Sequence, residues 1–217
     1  MLLKNILNQV QGELLVRKDY NGFHQGRISK WRYKHMAEKL DFQVIATTLL
    51  GAVDESVSVF LKAKPDKEPD IKTKVLYAQD KLNVSTYAEF VDGSYISVIY
   101  LYRHEKDKGS NRFCGMLIVY VSTAAINYLI KGFGYKNAAE AGVAMAEDAV
   151  GELANNIAGI FKRDLRGLGY AEFEISTPLK FKGFSGDLDF PKGQKNFHRV
   201  TAYVWGQTIV FDAILAI

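Results

Sequence analysis

The chain has 217 residues, of which 48% are hydrophobic, and its 28 lysines and arginines against 24 aspartates and glutamates leave a formal charge of +4. This balance excludes a disordered, collagen-like or fully transmembrane chain, and a chain of this length buries roughly 70% of its unfolded surface. The charge is too small to indicate a nucleic-acid-binding protein by itself.

A single cysteine, Cys114, excludes an internal disulfide framework and a multi-cysteine zinc site, and it indicates a reducing compartment. Asn8, Gln9 and Gln11 interrupt the N-terminus before an apolar run reaches signal-peptide length. The longest plainly apolar stretch, 116–121, is far shorter than the ~20 residues that cross a bilayer. We therefore expect a cytoplasmic protein with no membrane partner.

Residues 1–40 differ from the rest in composition, because they hold eight basic residues and three acidic ones. Arg27, Lys30 and Lys34 lie among aromatic side chains, a pattern that can grip phosphates or stack bases. A solvated face on an edge element is the commoner origin of such a pattern, so nucleic-acid binding is the weaker alternative. We divide the chain into a basic N-terminal extension, 1–40, and a domain, 41–217.

The first half of the domain opens with a helix and continues with strands. Apolar residues recur at helical spacing from Phe42 to Leu61, which predicts an amphipathic helix with one buried stripe. Residues 62–74 contain two prolines among alternating charges and are predicted to form a loop. Segments rich in β-branched and aromatic residues between turn clusters predict four strands, 75–77, 82–90, 95–102 and 113–121.

The second half of the domain is predicted to hold two helices and then four strands. Ser122 or Thr123 can cap a short helix that ends near Gly132. A longer helix is predicted over about 138–165, closed by Arg166 and Gly167. Its predicted buried face consists of Val143, Ala146, Val150, Leu153, Ile157 and Ile160. The predicted strands are 171–176, 179–184, 197–205 and 208–217, the last two joined by a turn at 206–207.

This order of elements indicates the fold class. Short connections between consecutive strands favour antiparallel pairing, and helices grouped between runs of strands are typical of α+β domains. We predict an α+β fold, an antiparallel β-sheet with two long helices packed on one face.

The long helix carries a polar sector on its outer side. Asp148, Glu152, Asn155 and Gly159 fall on this sector, turned away from the apolar stripe that contains Leu153. A carboxylate and a carboxamide three residues apart are neighbours on a helix surface, so Glu152 and Asn155 can reach one target. By itself the pattern is more typical of an ordinary solvated helix face.

Residues 148–159, DAVGELANNIAG, resemble the signature helix of the CheC/CheX/FliY family, bacterial phosphatases that act on the phosphorylated chemotaxis response regulator CheY. That signature is Asp or Ser, three residues, Glu, two residues, Asn, then twenty-two residues and Pro. The proline here is Pro178, followed by Phe181-Lys182-Gly183. The resemblance covers about 82–217 and is closest to the CheX type with its single Glu-x-x-Asn motif.

The resemblance implies a CheC/CheX-like fold and a chemotaxis-type phosphatase that hydrolyses the aspartyl phosphate of a CheY-like receiver domain. By family analogy Asn155 positions the attacking water, an amide role like that of the glutamine in GTPases. Glu152 pairs with the partner's active-site lysine, and the partner supplies Mg²⁺. We expect no cofactor or metal site in this chain, because its histidines are scattered: His24, His35, His104 and His198.

Two departures from the family pattern bear on the assembly. CheC-type members carry a second Glu-x-x-Asn on their first helix, whereas Glu55 here is followed by Ser58 where the asparagine would stand. One active helix per chain is the consequence. CheX-like members pair as dimers through their sheets, and the apolar terminal strand 209–217 is compatible with such pairing, so we expect a homodimer. Asn156 points nearly a third of a turn away from Asn155, and only Asn155 is carried over as catalytic.

A function of a different class stays open at this point. The chain could be a non-catalytic CheX-like binding or scaffold protein in a signalling pathway, one that keeps the fold and docks a receiver. The presence of both Glu152 and Asn155 favours catalysis. Cys114 opens an apolar strand, and its context favours a core residue over a nucleophile.

Overall fold

The computed structural model describes residues 42–60, 70–77, 82–84, 94–110, 112–136, 138–170, 172–183, 186–188, 195–204 and 208–216. All of them belong to one compact unit, Lys39–Ile217. The basic extension predicted at 1–40 lies outside the described residues, and so does the nucleic-acid contact considered for it.

The sheet is antiparallel throughout, as predicted. The strands in the described ranges are β1 Asp70–Tyr77, β2 Leu82–Val84, β3 Ser94–Tyr102, β4 Phe113–Ser122, β5 Glu174–Ile175, β6 Leu179–Lys182, β7 Gly186–Leu188, β8 Asn196–Val204 and β9 Ile209–Ala216. The order in the sheet is β1-β8-β9-β4-β3, and β5 and β6 both pair with the remaining edge of β3. A separate two-stranded sheet joins β2 and β7.

The described part of the chain contains three α-helices, α1 Phe42–Phe60, α2 Thr123–Gly132 and α3 Ala138–Gly167, and a 3₁₀ helix over Glu105–Ser110. Of the two predicted capping residues, Ser122 caps α2, because its hydroxyl accepts a 3.1 Å hydrogen bond from the Ala125 backbone N–H. None of these helices is long and apolar enough to cross a membrane.

All three helices pack on the same face of the sheet. Apolar side chains of α1 and α2 and the buried stripe of α3 meet alternate residues of the central strands in one core. The predicted α+β class is therefore confirmed, with the short α2 joining the two long helices on that face. Fully buried members of this core include Ile45, Leu49, Leu129, Val150, Leu153, Val119 and Ala213.

The opposite face of the sheet is also apolar and buried, and it contains one buried carboxylate. Ile118 and Ile214 are fully buried there. Asp212, the cross-strand partner of Ile118, has no exposed surface. Arg199 donates to both carboxylate oxygens of Asp212, from Nε at 3.1 Å and from Nη2 at 2.6 Å. The Thr201 hydroxyl donates to the same carboxylate. A buried charge is tolerated because these partners satisfy it.

The prediction of a loop over 62–74 is wrong for its last part, because β1 begins at Asp70. Among the described strands, β1 lies at the edge of the sheet and pairs with β8. Ile71 packs on the core, whereas Lys72 and Lys74 are exposed. The Lys72 ammonium lies 4.4 Å from the centre of the Tyr203 ring. Charged side chains are common on edge strands. Because of them, residues 70–74 lack the apolar content that predicts a strand.

Other strand boundaries differ more modestly. The strand predicted over 82–90 begins at Leu82 and is described as far as Val84, and its remainder lies outside the described residues. The strand predicted over 171–176 is reduced to Glu174–Ile175, and β7 had no counterpart in the predictions. The turn predicted at 206–207 also lies outside the described residues.

The long helix α3 differs from its prediction at both ends. Gly142 has a φ of 75° and interrupts the helical geometry, so Val143 is 46% exposed instead of buried. At the other end the helix continues to Gly167, and Gly169 with a φ of 85° terminates it. Between the two glycines the predicted buried face is correct at Ala146, Val150, Leu153 and Ile157.

The position of β9 bears on the expected dimer. Its backbone is paired on one side with β4 and on the other with β8. The apolar terminal strand is thus apolar because it lies at the centre of the sheet, and it offers no free edge to a second copy. The homodimer stays a prediction, but β9 is not the strand that would form it.

Candidate functional site

The exposed side of α3 is set by how the helix is anchored. Val150, Leu153 and Ile157 recur at three- and four-residue spacing and are buried on the sheet. Glu152 and Asn155 therefore face outward, and both are exposed. The structure places these two predicted site residues side by side on one turn of a helix that is held by its opposite face.

The side chains of Glu152 and Asn155 have no hydrogen bond or ion pair with any other residue that the structure describes. The surface one turn beyond Asn155 is open, because a Cβ atom added to Gly159 would meet no atom within 4 Å. An exposed amide and an exposed carboxylate beside this open space are accessible to another molecule.

On the α1 side of this surface, the neighbouring asparagine is held in place. The hydroxyl of Ser56, which is fully buried, donates a 3.1 Å hydrogen bond to Oδ1 of Asn156. Asn156 thus links α1 to α3, whereas Asn155 does not. This contact gives a physical reason to distinguish two adjacent residues of the same type.

The glutamate that corresponds to the second motif of CheC-type members is also engaged. Arg163 donates to both oxygens of Glu55, from Nη1 at 3.1 Å and from Nη2 at 2.8 Å. Hydrogen bonding to Arg163 lowers the pKa of the Glu55 carboxyl below its usual value. The first helix therefore carries an ion-paired glutamate and a serine, Ser58, at the two positions of that motif.

We expect the Glu55 carboxyl to titrate at a lower pH in the wild type than in Arg163→Gln. A lowered pKa favours the folded state above the ordinary glutamate value of about 4.3, and that contribution is lost as pH falls through the folded-state pKa. Titration of the Glu55 carboxyl carbon by NMR measures the difference. Equal pKa values in the two proteins would contradict the ion pair.

On the other side of the α3 surface, strand β6 contributes a lysine. The Lys180 ammonium donates to a carboxylate oxygen of Asp148, one helical turn before Glu152. Gly151 makes room for this lysine, because an added Cβ there would lie 2.9 Å from Cδ of Lys180 and 3.6 Å from Cβ of Pro178. Glycine inside a helix costs about 0.5–1 kcal/mol of stability relative to alanine. The close approach of Lys180 is a packing reason for a glycine at position 151.

At the C-terminal part of the same surface, a third ion pair joins α3 to another element. Lys162 donates a 3.3 Å hydrogen bond to Glu174 of β5. Beyond it lies an open cleft of about 430 Å³, lined by Arg103, His104, Glu105, Glu172 and Glu174. Glu172 is paired with Arg166 at 3.0 Å and Glu105 with Lys108 at 2.9 Å, so the acidic side chains of this cleft are already partnered.

The described residues form neither a reactive thiol site nor a cluster of metal ligands. Cys114 is buried and donates a 3.3 Å hydrogen bond to the Leu101 carbonyl, and burial raises the pKa of its thiol to about 11. Such a thiol is a core residue and a poor nucleophile. Within the described ranges, no group of three or more His, Cys, Asp or Glu side chains could hold a metal ion.

Comparison with known proteins shows what the part of the chain that contains α3 is similar to. Residues 108–200 match the family model described as "Chemotaxis phosphatase CheX". That range includes α3 with Glu152 and Asn155, and it includes Pro178. Over this range the chain is similar to the CheX type of the CheC/CheX/FliY family. The resemblance predicted from the sequence is confirmed.

Solved structures agree with this CheX-type fold. A chemotaxis protein CheX from Desulfovibrio desulfuricans is 15% identical, with a TM-score of 0.53 over 79% of this chain and 98% of that one. CheX from Vibrio vulnificus is 16% identical, with a TM-score of 0.52 over 79% and 97%. A CheC-like protein from a Shewanella species is 16% identical, with a TM-score of 0.53 over 78% and 96%. At these identities the likeness shows the fold alone. No curated protein sequence matches the chain significantly.

The structure adds residues that the sequence did not single out. Ser56 of α1 and Lys180 of β6 contact α3 from elements that are distant in the chain. Arg163 of α3 contacts Glu55 of α1. Pairings of this kind have no signature in local spacing. Gly151 was the one available signal, because a glycine in the middle of a strongly periodic helix points to a close neighbour.

Proposed function

We propose that this CheX-type domain binds a CheY-like receiver domain and hydrolyses the aspartyl phosphate of that receiver. The observation that carries the proposal is a contrast along α3. Glu152 and Asn155 have no partner among the described residues, whereas the polar side chains around them are engaged within the chain. Those engaged side chains are Asp148 with Lys180, Asn156 with Ser56, Lys162 with Glu174, and Arg163 with Glu55.

The reaction needs little more than a positioned water. The water oxygen attacks phosphorus while the bond between phosphorus and the acyl oxygen breaks, and the aspartate carboxylate is the leaving group. The protons of the water pass to the inorganic phosphate that forms and to solvent. A carboxylate is a good leaving group, since its conjugate acid has a pKa of about 4. Holding the water in line with the breaking bond therefore lowers the barrier without a strong general base.

Each residue of the pair has a role that its chemistry allows. The amide oxygen of Asn155 accepts a hydrogen bond from the attacking water, and its NH₂ group donates to an acceptor in the receiver site. The carboxylate of Glu152, one turn away on the same surface, pairs with a lysine of the receiver and sets the orientation of the two proteins. The receiver brings its own Mg²⁺, which offsets charge on the phosphoryl oxygens.

The proposal is tested by incubating the chain with a panel of phosphorylated receiver domains in the presence of Mg²⁺. Release of inorganic phosphate is followed against the rate of each receiver alone. Acceleration of at least one receiver supports the phosphatase. Binding without acceleration would favour the alternative of a non-catalytic scaffold protein, and neither binding nor acceleration across the panel would remove both.

The proposed function carries two expectations about where and how the protein acts. A receiver of this kind is a cytoplasmic signalling protein, so we place this chain in the cytoplasm. We also expect a homodimer that leaves the Glu152 and Asn155 surface open. In the described part of the sheet, β1 is the edge farthest from that surface and is the candidate contact.

Sedimentation equilibrium tests the homodimer, since a concentration-dependent mass of twice the monomer is expected. The same mass should be obtained for Asn155→Arg, because a large side chain on an open surface leaves the dimer contact untouched. A strict monomer, or a dimer that Asn155→Arg disrupts, would contradict this arrangement.

A further inference from the structure

Resting on the proposed function, we infer that Lys180 is a positioning residue. It forms an ion pair with Asp148, so that the lysine of the receiver pairs with Glu152 and not with Asp148. Lys180 acts through Asp148 and does not touch the reacting atoms. The inference assigns a role to an ion pair between β6 and α3 that lies beside the proposed site.

The helix α3 presents a second carboxylate, Asp148, next to Glu152. Asp148 and Glu152 are four residues apart on one face of the helix, and both are exposed. Two carboxylates at this spacing are neighbours, so a cation arriving at one is attracted by the other as well. A receiver lysine that settled on Asp148 would shift the docked proteins by about one helical turn, roughly 5.4 Å. Asn155 would then miss the attacking water.

Lys180 is held where it can prevent this. It lies on β6 opposite Ser97 of β3, and its ammonium pairs with Asp148. Its aliphatic stem lies against Gly151, the residue before Glu152, at a distance that no side chain at position 151 would allow. Glycine is a poor residue for a helix interior, and here it makes space for the lysine stem and for Pro178.

The charge balance of the surface follows from this pair. Lys180 neutralises Asp148, while Glu152 keeps its charge without a partner among the described residues. Because the side chains of Lys180 and Asp148 are 38% and 65% exposed, the pair is accessible and can be altered without opening the core. Substitutions at either residue are therefore expected to fold.

The test is a four-protein cycle of wild type, Lys180→Gln, Asp148→Asn and the double variant, assayed for phosphate release from the best phosphorylated receiver. We expect Lys180→Gln to lower kcat about tenfold without raising KM, because the receiver binds at least as well but in a shifted register. Adding Asp148→Asn should restore kcat to within about twofold of wild type, since the competing carboxylate is gone.

Lys182→Gln is the matched control. Lys182 lies on the same strand and the same side of the sheet as Lys180, and its ammonium lies 5.4 Å from the centre of the Tyr95 ring. Its replacement removes the same charge without freeing Asp148, so kcat should stay within about twofold. Gly151→Ala is a second variant, because its new methyl group displaces the Lys180 stem and should reproduce the loss of kcat.

Several outcomes overturn the inference. A rise in KM that Asp148→Asn does not reverse would mean that Lys180 contacts the receiver directly. Equal effects of Lys180→Gln and Lys182→Gln would mean that only net charge matters, and unchanged kinetics would mean that the pair has no role.

The inference and the proposed function fail in distinguishable ways. If wild type releases no phosphate from any receiver, the phosphatase proposal fails, and the same cycle is measured as affinity for a beryllofluoride-activated receiver. Lys180→Gln should then bind a few-fold more tightly, with the excess removed by Asp148→Asn. Absence of that pattern overturns the role of Lys180.

Discussion

Asn155→Ala is expected to lower phosphatase turnover about 10²–10³-fold, the usual cost of removing one positioned polar group from a reaction site. The melting temperature should stay within about 2 °C of wild type, because the amide is exposed and alanine is the better helix former. Phosphate-release kinetics and thermal unfolding of the same preparations measure the two quantities.

Asn156→Ala is the matched control, since it removes the same chemical group one residue away. It should keep the turnover of wild type and lose about 1 kcal/mol of stability, because the buried Ser56 hydroxyl loses its acceptor. Asn155→Ala is thus expected to lose activity and keep its stability, whereas Asn156→Ala is expected to lose stability and keep its activity. Loss of turnover in Asn156→Ala alone, or in both variants equally, would contradict the assignment of Asn155.

Glu152→Ala belongs to the same experiment and should affect mainly binding. Removing the carboxylate takes away one charged contact to the receiver, which we expect to raise KM about tenfold and to leave kcat less changed. Increasing salt should weaken receiver binding by wild type more than by Glu152→Ala. A fall in kcat as large as that of Asn155→Ala would instead place Glu152 in the chemical step.

Asp212→Ala is expected to destabilise the domain by about 3–5 kcal/mol, which is the largest effect on stability that we predict. The carboxylate is fully buried on the face of the sheet opposite the helices, and Arg199 and Thr201 donate to it. Removing the acid takes away the carboxylate that accepts two hydrogen bonds from the partly buried guanidinium. Urea unfolding followed by far-UV circular dichroism measures the loss.

The physical reason for that loss can be checked with a second variant. Replacing both partners, with Asp212→Leu and Arg199→Met together, removes the ion pair without leaving a lone charge, and it should be less destabilising than Asp212→Ala. Thr201→Val should cost about 1 kcal/mol, one hydrogen bond. Equal loss in the single and the double variant would show that packing volume, and not charge, is decisive.

The sequence predicted the parts of the fold in which periodicity is strong. The buried stripe through Val150, Leu153 and Ile157 predicted both the helix α3 and the outward direction of Glu152 and Asn155. The strands β3 and β4 were predicted nearly to the residue, because their apolar and aromatic content is continuous. In such segments local preference and tertiary burial act in the same direction.

Prediction was weaker where pairing, not local composition, determines the structure. Lys72 and Lys74 form part of β1 only because β8 provides hydrogen-bond partners across the register. The terminal strand β9 was correctly predicted as a strand, but its apolar character was taken as compatible with a dimer contact, although it reflects burial between β4 and β8. A run of apolar residues shows that a strand is covered, and it does not show what covers it.

The absence of described partners for Glu152 and Asn155 has a consequence for how long a complex with the receiver would last. Unrestrained side chains keep their rotamer freedom, and ordering them on binding costs about 0.5–1.5 kcal/mol each. This free-energy cost is part of every binding event, so it weakens the complex and shortens the residence time of the receiver. A short residence time is an advantage for a phosphatase, because the dephosphorylated receiver must leave before the next phosphorylated one can be processed.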